Sequence, residues 1–584
     1  MKKIKIIALL IFTCSLQTVY SQNGLKNKGY IDAYNFTPKE NIYVHYNSSL
    51  LFAGEYLYYK VYNINTTLNQ LSNLSKVVYV ELIDKDMQQV FKHKISLVTG
   101  LGQGDYFIST SIPSGNYKLI AYTQWMKNGG KNYFYKDDIN ILNPYQSNQK
   151  SSTDSINNSK INTFKKSNNN FNNPILKLST NDTVFHKRSK VSLSIKDLKN
   201  TLGYGDYSIS VRKIDAFYSS TRSKASNYKK MYPKKAGVTY NEDSEVYYPE
   251  INGGVITGKV LYKESNLPAK GQNVSLSISG NDFIFKTETT NDDGVFNISV
   301  NENYDNETGI LQVLGMEREL FSLELNETPS VDLSELKFNS FTITPAMKDM
   351  IVTRSIYNQI ENAYYSIKPD TIVSLPDKKP FYTEYNSKVY VLEEYTRFYT
   401  VKDIFIEIVE NVWSTKNKEG NRVFYVNNVE NANKTHLPLI FMDGVLIQNH
   451  EHLLNYNANK IKTISVLQGN AHFGTTIYQG VIIVETIDNE YKNLSKGDFL
   501  KKTTLFKPQP IKNYFHQNYN NNSNDHRIPD FRNQLLWNPS IKINTNEKEV
   551  VFYTSDNTGD FEICLEGFTA NGNPITLQKI ITVK

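Results

Sequence analysis

The chain has 584 residues, with 65 Lys and Arg against 58 Asp and Glu, a formal net charge of +7. Three of those charges are Lys2, Lys3 and Lys5, and the remaining +4 is too dilute over this length to form a nucleic-acid-binding surface. Two cysteines, Cys14 and Cys564, exclude a disulfide framework and a multi-cysteine metal site, and no later segment reaches the roughly 18 apolar residues of a membrane-spanning helix.

Residues 1–21 read as a secretory signal: Lys2, Lys3 and Lys5, then the apolar stretch Ile6 to Phe12, then Ser21 as a small residue before Gln22. Cys14 would serve as a lipid acceptor only with small residues ahead of it, and Ile11-Phe12-Thr13 are bulky. Cleavage after Ser21 removes Cys14 and leaves Cys564 alone. The length suits about four domains of roughly 150 residues, and 41 Tyr and 29 Phe suit a β-rich exported chain.

Residues 24–144 form the first expected unit. Asn41 to Val44, Glu55 to Tyr62, Lys76 to Ile83, Gly104 to Ser109 and Asn116 to Tyr122 are short strand-like runs, punctuated at Gly54 and at Pro113-Ser114-Gly115. Such spacing predicts a β-sandwich. Trp125-Met126 reads as an edge anchor packed on it. Residues 146–173, rich in Ser, Asn and Lys without apolar periodicity, read as a disordered linker. Residues 174–249 restart the strand pattern with Val191 to Ile195 and Tyr207 to Val211. Residues 250–330 carry Ile256 to Val260, Val274 to Ile278 and an Asp292-Asp293-Gly294 turn.

Residues 338–490 mix helix and strand. Met347, Ile351, Ile356, Ile360 and Ala363 approximate a helical stripe, and Val401, Ile404, Phe405, Ile408 and Val412 place a second helix over Val401 to Val412. The strands Leu437 to Met442, Ile461 to Leu467 and Val481 to Thr486 follow, with Asp443-Gly444 as a hairpin turn. Residues 491–525 read as loop, and residues 526–584 as a terminal β unit, Ig-like in pattern.

Three segments resemble known families. Ile42-Tyr43-Val44, Ala53-Gly54-Glu55, Gly104-Asp105-Tyr106-Phe107 and Ser114-Gly115-Asn116-Tyr117 resemble a macroglobulin-type sandwich, although a generic sandwich meets the same steric needs. Residues 174–249 look like a second, shorter unit of that type. The Cys-Gly-Glu-Gln thioester of protease-trapping members is missing, so covalent trapping is not implied. Ile256-Thr257-Gly258-Lys259-Val260, Pro268 with Val274 to Ile278, and Thr290 with Gly294-Val295-Phe296 resemble a carboxypeptidase regulatory-like domain, which carries no catalysis. Asp443-Gly444, Ile461, Ile464, Val466, Gly469, Gly474, Gly480, Ile482, Val484 and Thr486 resemble the plug domain of TonB-dependent outer-membrane receptors. Only 98 residues follow Thr486, far short of a barrel of about 22 strands of roughly ten residues. The whole is similar to Bacteroidetes-type exported proteins that hold a plug domain without its pore.

The chemistry-bearing constellations are few. His450-Glu451-His452 would turn two imidazoles to one side in a strand, but Leu453-Leu454 suggest a short helix and no third ligand is placed. Asp443 and Asp292-Asp293 sit in turn signals, and Cys564 in an apolar strand reads as buried and inert. HExxH, G-x-S-x-G, P-loop and Rossmann patterns are missing. The expectation is therefore a mainly β, multidomain chain of Ig- or macroglobulin-like β-sandwiches with a small α/β plug-like domain. It is expected to be exported, associated with the outer membrane, and non-enzymatic. No catalytic, cofactor-binding or metal residue is assigned, and no cofactor. The plug resemblance implies docking on, or gating of, a separate outer-membrane β-barrel. A secreted or surface macroglobulin-like binder of proteins or glycans is the alternative, and a hydrolase built on His450 and His452 is a third.

Overall fold

The computed structural model describes residues 39–146, 173–214, 222–232, 247–280, 282–302, 304, 306–326, 331, 333–334, 336–339, 341, 343–373, 387–427, 436–473, 476–489, 491, 496–519 and 527–584. The signal expected over residues 1–21, Cys14, and nearly all of the 146–173 linker lie outside the described residues. The chain is mainly β and multidomain. Among the described residues the strands form three two-layered units and one α/β unit.

The first sandwich packs a four-stranded sheet (Glu40–Tyr46, Tyr56–Asn65, Gln70–Leu71, Leu101–Phe107) on a five-stranded one (Leu50–Phe52, Tyr135–Leu142, Gly115–Tyr122, Val77–Asp84, Gln89–Ser96). The central strand Tyr56–Asn65 shows why its sequence looks apolar on both faces. Leu57, Tyr59 and Val61 enter the sandwich core with no exposure, while the alternate residues Tyr58, Lys60 and Tyr62 face a second unit, as the period of two requires.

That second unit corrects the expected order. Residues 174–249 and 526–584 are not separate bodies. Strand Gly205–Lys213 lies between Gln534–Ile543 and Gly559–Thr569, and Lys190–Asp197 pairs with Glu547–Tyr553. One sandwich is thus made from two stretches more than three hundred residues apart, around a shared core that includes Val191, Tyr207, Ile209, Phe561 and Ile563. The physical reason is burial. The strands of 176–213 cannot cover both of their apolar faces alone, and local patterning does not say which distant strand completes a sheet.

The third sandwich packs Val295–Val300, Gly254–Tyr262 and Phe321–Leu325 on Ile284–Thr289, Asn273–Ile278, Thr308–Val313 and Leu500–Thr504. The last strand lies inside the stretch expected to be loop. Lys512–Asn513 of the same stretch pairs with Thr371–Ile372. The alternation of Leu500–Thr504 is too short and too lysine-rich to announce itself.

The α/β unit orders Ser387–Val391, Ile461–Phe473, Thr476–Thr486, Leu439–Met442 and Val445–Leu446 in one sheet, with Leu439–Met442 parallel to Thr476–Thr486. One face packs on helices Val401–Glu407 and His450–Leu454 through Ile404, Phe405 and Leu453. The other face, with Phe441, Leu467 and Ile483, packs on Phe283 and Phe285 of the third sandwich. Two expectations shift here. The helix predicted to reach Val412 ends at Glu407, Asn411 takes φ +62°, and Val412 opens the strand Val412–Lys416. The long helix, Lys348–Ala363, does not belong to this unit: Met350 and Ile351 pack on Leu50, Phe52 and Leu142 of the first sandwich. Its buried side chains are Arg354, Ser355 and Asn358, whereas Val352 and Ile356 are half exposed. The apolar stripe is right at Met347 and Ile351 and wrong at Ile356, because a carboxylate as well as an apolar patch holds this helix.

Candidate functional site

The carboxylate is Glu55, in the Gly54-Glu55 turn that follows the strand Leu50–Phe52. Arg354 grips it with both arms of its guanidinium, Nε to Oε1 at 2.8 Å and Nη2 to Oε2 at 2.7 Å. Arg212 of the second sandwich reaches Oε2 at 2.8 Å, and Asn358 and the Phe52 amide donate as well. Burial raises the Glu55 carboxyl, but the two guanidiniums overcome it and hold the group at about 2. Arg354 also lies 4.2 Å from the centroid of Phe52, so its charge is screened from water by an aromatic face. Gly54 takes φ +93°, and a Cβ there would stand 2.9 Å from Asn362 Nδ2, whose amide donates to the Gly54 carbonyl. One turn therefore joins three bodies: first sandwich, long helix and second sandwich.

Beside this turn lies a cleft of about 150 Å³, walled by the first sandwich, the end of the long helix, the 514–515 segment and the start of strand Gln534–Ile543. Its aromatic side is a row of near-parallel rings. Tyr365 to Tyr56, Tyr56 to Tyr58, and Tyr58 to Trp537 have centroids 5.9, 5.5 and 6.0 Å apart and interplanar angles of 15°, 14° and 18°. Tyr514 meets Tyr58 edge-on at 5.0 Å. The cations on the wall are committed to the fold: Arg212 to Glu55, Lys368 to Glu361 at 2.6 Å, and Arg532 to Asp530 at 2.6 and 2.7 Å. Asp370 differs. It accepts the Phe515 amide at 2.9 Å, and among the described residues no Lys, Arg or His lies within ion-pair distance of it. Burial raises its carboxyl and Asp105 adds to this, against the pull of the Phe515 amide and Lys512.

A second buried cluster lies deeper between the two sandwiches. His45, Cys564 and Glu566 offer ligand atoms within 4.8 Å of one another. Two observations argue against a metal there. Arg222 donates to both Glu566 and the Cys564 thiol, placing a fixed positive charge where a cation would sit. Glu566 is further saturated by Tyr43 at 2.6 Å and Thr576 at 3.2 Å. Burial pushes the Cys564 thiol well above its ordinary value. Burial also pulls His45 down to about 3, so its 3.6 Å approach to Glu566 is a contact of a neutral ring and not an ion pair. Despite burial, Arg222 and the other donors keep Glu566 ionised by lowering its carboxyl. The cluster is a rivet between sandwiches.

The residues singled out in the sequence fall elsewhere. His450 and His452 lie in the helix His450–Leu454, where positions two apart point to different sides, and His450 Nδ1 accepts the Phe424 amide at 3.0 Å. They do not converge. Asp443 and Gly444 take φ +48° and +79° in their turn, and the Asp443 carboxylate accepts from the amides of Thr486 and Tyr491 at 2.7 and 2.9 Å. That carboxylate fastens the turn to the end of the neighbouring strand. Asp292 pairs with Lys270 in solvent, and Asn291 braces its turn by accepting from Asp293 and Val295. Trp125 is buried against the first sandwich in the helix Gln124–Lys127. Cys564 is buried in the strand Gly559–Thr569. Sequence reasoning missed Glu55 as a charge centre, and with it Arg212, Arg354, Asp370 and Trp537. The one available signal was Gly54-Glu55 itself, a charged residue beside an otherwise apolar strand.

No family model matches the chain, and no curated protein matches it. Among solved structures, Salmonella alpha-2-macroglobulin reacted with methylamine aligns at 9% identity over 93% of this chain and 39% of that chain, with a TM-score of 0.23. Escherichia coli alpha-2-macroglobulin activated by porcine elastase aligns at 8% identity over 93% and 44%, with a TM-score of 0.24. The Escherichia coli adhesin FdeC aligns at 10% identity over 51% and 63%, with a TM-score of 0.14. The chain spans about two fifths of those macroglobulin structures. Superpositions this partial leave the architecture to rest on the chain's own sheets: a mainly β, multidomain protein with its cleft at the junction of two sandwiches and a helix.

Proposed function

We propose that the chain is an exported, non-enzymatic binding and scaffold protein of the cell envelope, which docks on or gates a separate outer-membrane β-barrel through its α/β unit. The observation that carries this reading is the way that unit is used. One face of its sheet is spent on its own helices and the other on the third sandwich. The edge strand Ser387–Val391 is paired on one side only among the described residues. Val389, Ile406 and Tyr399 stay 54%, 63% and 92% exposed. An open edge with apolar side chains close by in sequence is a template for another protein's strand or loop. The absence of catalysis is part of the proposal: the cleft's cationic groups are tied into ion pairs that hold the fold, and the buried cysteine and histidine are held neutral.

Affinity purification of the tagged chain from gently solubilised envelopes, with partners identified by mass spectrometry, tests the reading. A stoichiometric barrel protein is expected. Recovery of the chain free of any barrel after crosslinking would overturn docking. It would leave the second reading, a secreted or surface binder of proteins or glycans, which the aromatic cleft supports on its own.

A further inference from the structure

The cleft beside Glu55 has a composition that specifies a ligand class. Among the described residues it has aromatic walls, one carboxylate with no cation within ion-pair distance, and no wall cation outside an ion pair. Arg212 is held by Glu55, Lys368 by Glu361, and Arg532 by Asp530 with both guanidinium arms. Arg532 also donates to the carbonyls of Leu535 and Tyr553, so an incoming anion would have to break bonds the fold already uses. Asp370 is the exception in the other direction. It accepts the Phe515 backbone amide, and the nearby Lys512 is engaged 3.0 Å from Asp105. A half-buried carboxylate in this position keeps acceptor positions that the fold does not use. The rings supply the rest. Tyr365, 43% exposed, stands at the rim, and Tyr56 and Tyr58 continue the row inward to Trp537. Electron-rich ring faces next to a carboxylate select a positive charge carried on an apolar stem. Size narrows the choice further. A cavity of about 150 Å³ is of the order that holds a benzene-sized group, which matches the end of one side chain.

We propose that the cleft receives an alkyl ammonium or guanidinium group, the head of a lysine or arginine side chain, with Asp370 as counter-ion and Tyr56, Tyr58 and Tyr365 as the surrounding rings. This rests on the binder reading above and names its ligand class.

The chain has three tryptophans, Trp125, Trp413 and Trp537, so 5-fluorotryptophan labelling of the full chain gives a separate fluorine resonance for the cleft, assigned with Trp537→Phe. Titration with Nα-acetyl-lysine methylamide and Nα-acetyl-arginine methylamide is expected to shift the Trp537 resonance saturably in the millimolar range. The Nε-acetylated lysine analogue is expected to bind at least tenfold more weakly. Asp370→Asn and Tyr365→Leu should each weaken binding of the charged probe at least tenfold, with the thermal transition unchanged. Cadaverine identifies the source of the cation: weaker binding than the blocked amino acid points to a polypeptide, equal binding to a free amine. If the Nε-acetylated analogue or a neutral monosaccharide shifts Trp537 as strongly as the charged probes, the ligand class is wrong while the cleft remains a binding site. If no probe moves Trp537, both the ligand class and the cleft as a binding site are refuted.

Discussion

Replacing Glu55 with glutamine is the sharpest perturbation this structure offers. The amide is nearly the same size, so no cavity opens, but Arg354 and Arg212 lose the charge they share. Glu55 and its partners are buried, with side-chain exposures of 7% for Glu55, 5% for Arg354 and 10% for Arg212. Breaking a buried pair by removing one partner costs about 3–5 kcal/mol, because the other charge is left uncompensated. A second route gives a similar size. The Glu55 carboxyl falls from 4.5 to about 2 on folding, and at about 1.4 kcal/mol per pH unit this corresponds to about 3 kcal/mol. The sign follows from the depressed value: the contribution is complete above pH 4.5 and disappears as pH falls towards about 2. Urea unfolding of wild type and Glu55→Gln, followed by circular dichroism and by tryptophan fluorescence, should show a lower midpoint in the variant at pH 7. The gap should close progressively below pH 4.5. A triple replacement, Glu55→Leu with Arg212→Met and Arg354→Met, should recover most of the loss, since apolar packing substitutes well for a buried ion pair. A Glu55→Gln variant within about 0.5 kcal/mol of wild type, the range of an ordinary surface change, would refute the assignment of the junction to this carboxylate.

Glu566→Gln should behave alike at the second rivet, at about 3–5 kcal/mol, read as a lower urea midpoint, because Arg222 would be left buried with a neutral partner. Gly54→Ala should cost about 1–2 kcal/mol, since φ is +93° and the new methyl meets Asn362; amide exchange across Lys348–Ala363 should rise. Residues 527–584 expressed alone should give an unfolded spectrum, and adding a 173–214 peptide should restore strand signal, because Gly205–Lys213 is the strand between Gln534–Ile543 and Gly559–Thr569. Cys564 should resist a thiol reagent in the native chain and react at once in urea, as its buried, protonated state requires.

The sequence shows where strands are more readily than what they join. Val191 to Ile195 and Tyr207 to Val211 are visible as alternating runs, yet their partners, Glu547–Tyr553 and Gln534–Ile543, are set by tertiary burial that no local period encodes. The α/β unit was the more legible case. Its strands and turn are contiguous, so the Asp443-Gly444 pair and the β-branched runs around it describe the sheet directly. The long helix shows the opposite. Its apolar residues suggested a buried stripe, but Ile356 is half exposed and Arg354 is buried, because a charge two hundred and ninety-nine residues away decides which face turns inward. The cleft was illegible for the same reason. Tyr56, Tyr365, Asp370 and Trp537 come from three separated stretches, and each alone is an ordinary residue of a tyrosine-rich chain.

If the chain works by binding, as proposed, its α/β unit is what meets an outer-membrane partner. A photo-crosslinking amino acid placed at Val389 on the open edge, and separately at Tyr399, 92% exposed, tests this in intact cells. One discrete adduct is expected from these positions, containing a β-barrel protein of the outer membrane, and none from a control site at the exposed Leu68 of the first sandwich. Adducts confined to soluble exported proteins, or equal at all three positions, would contradict it.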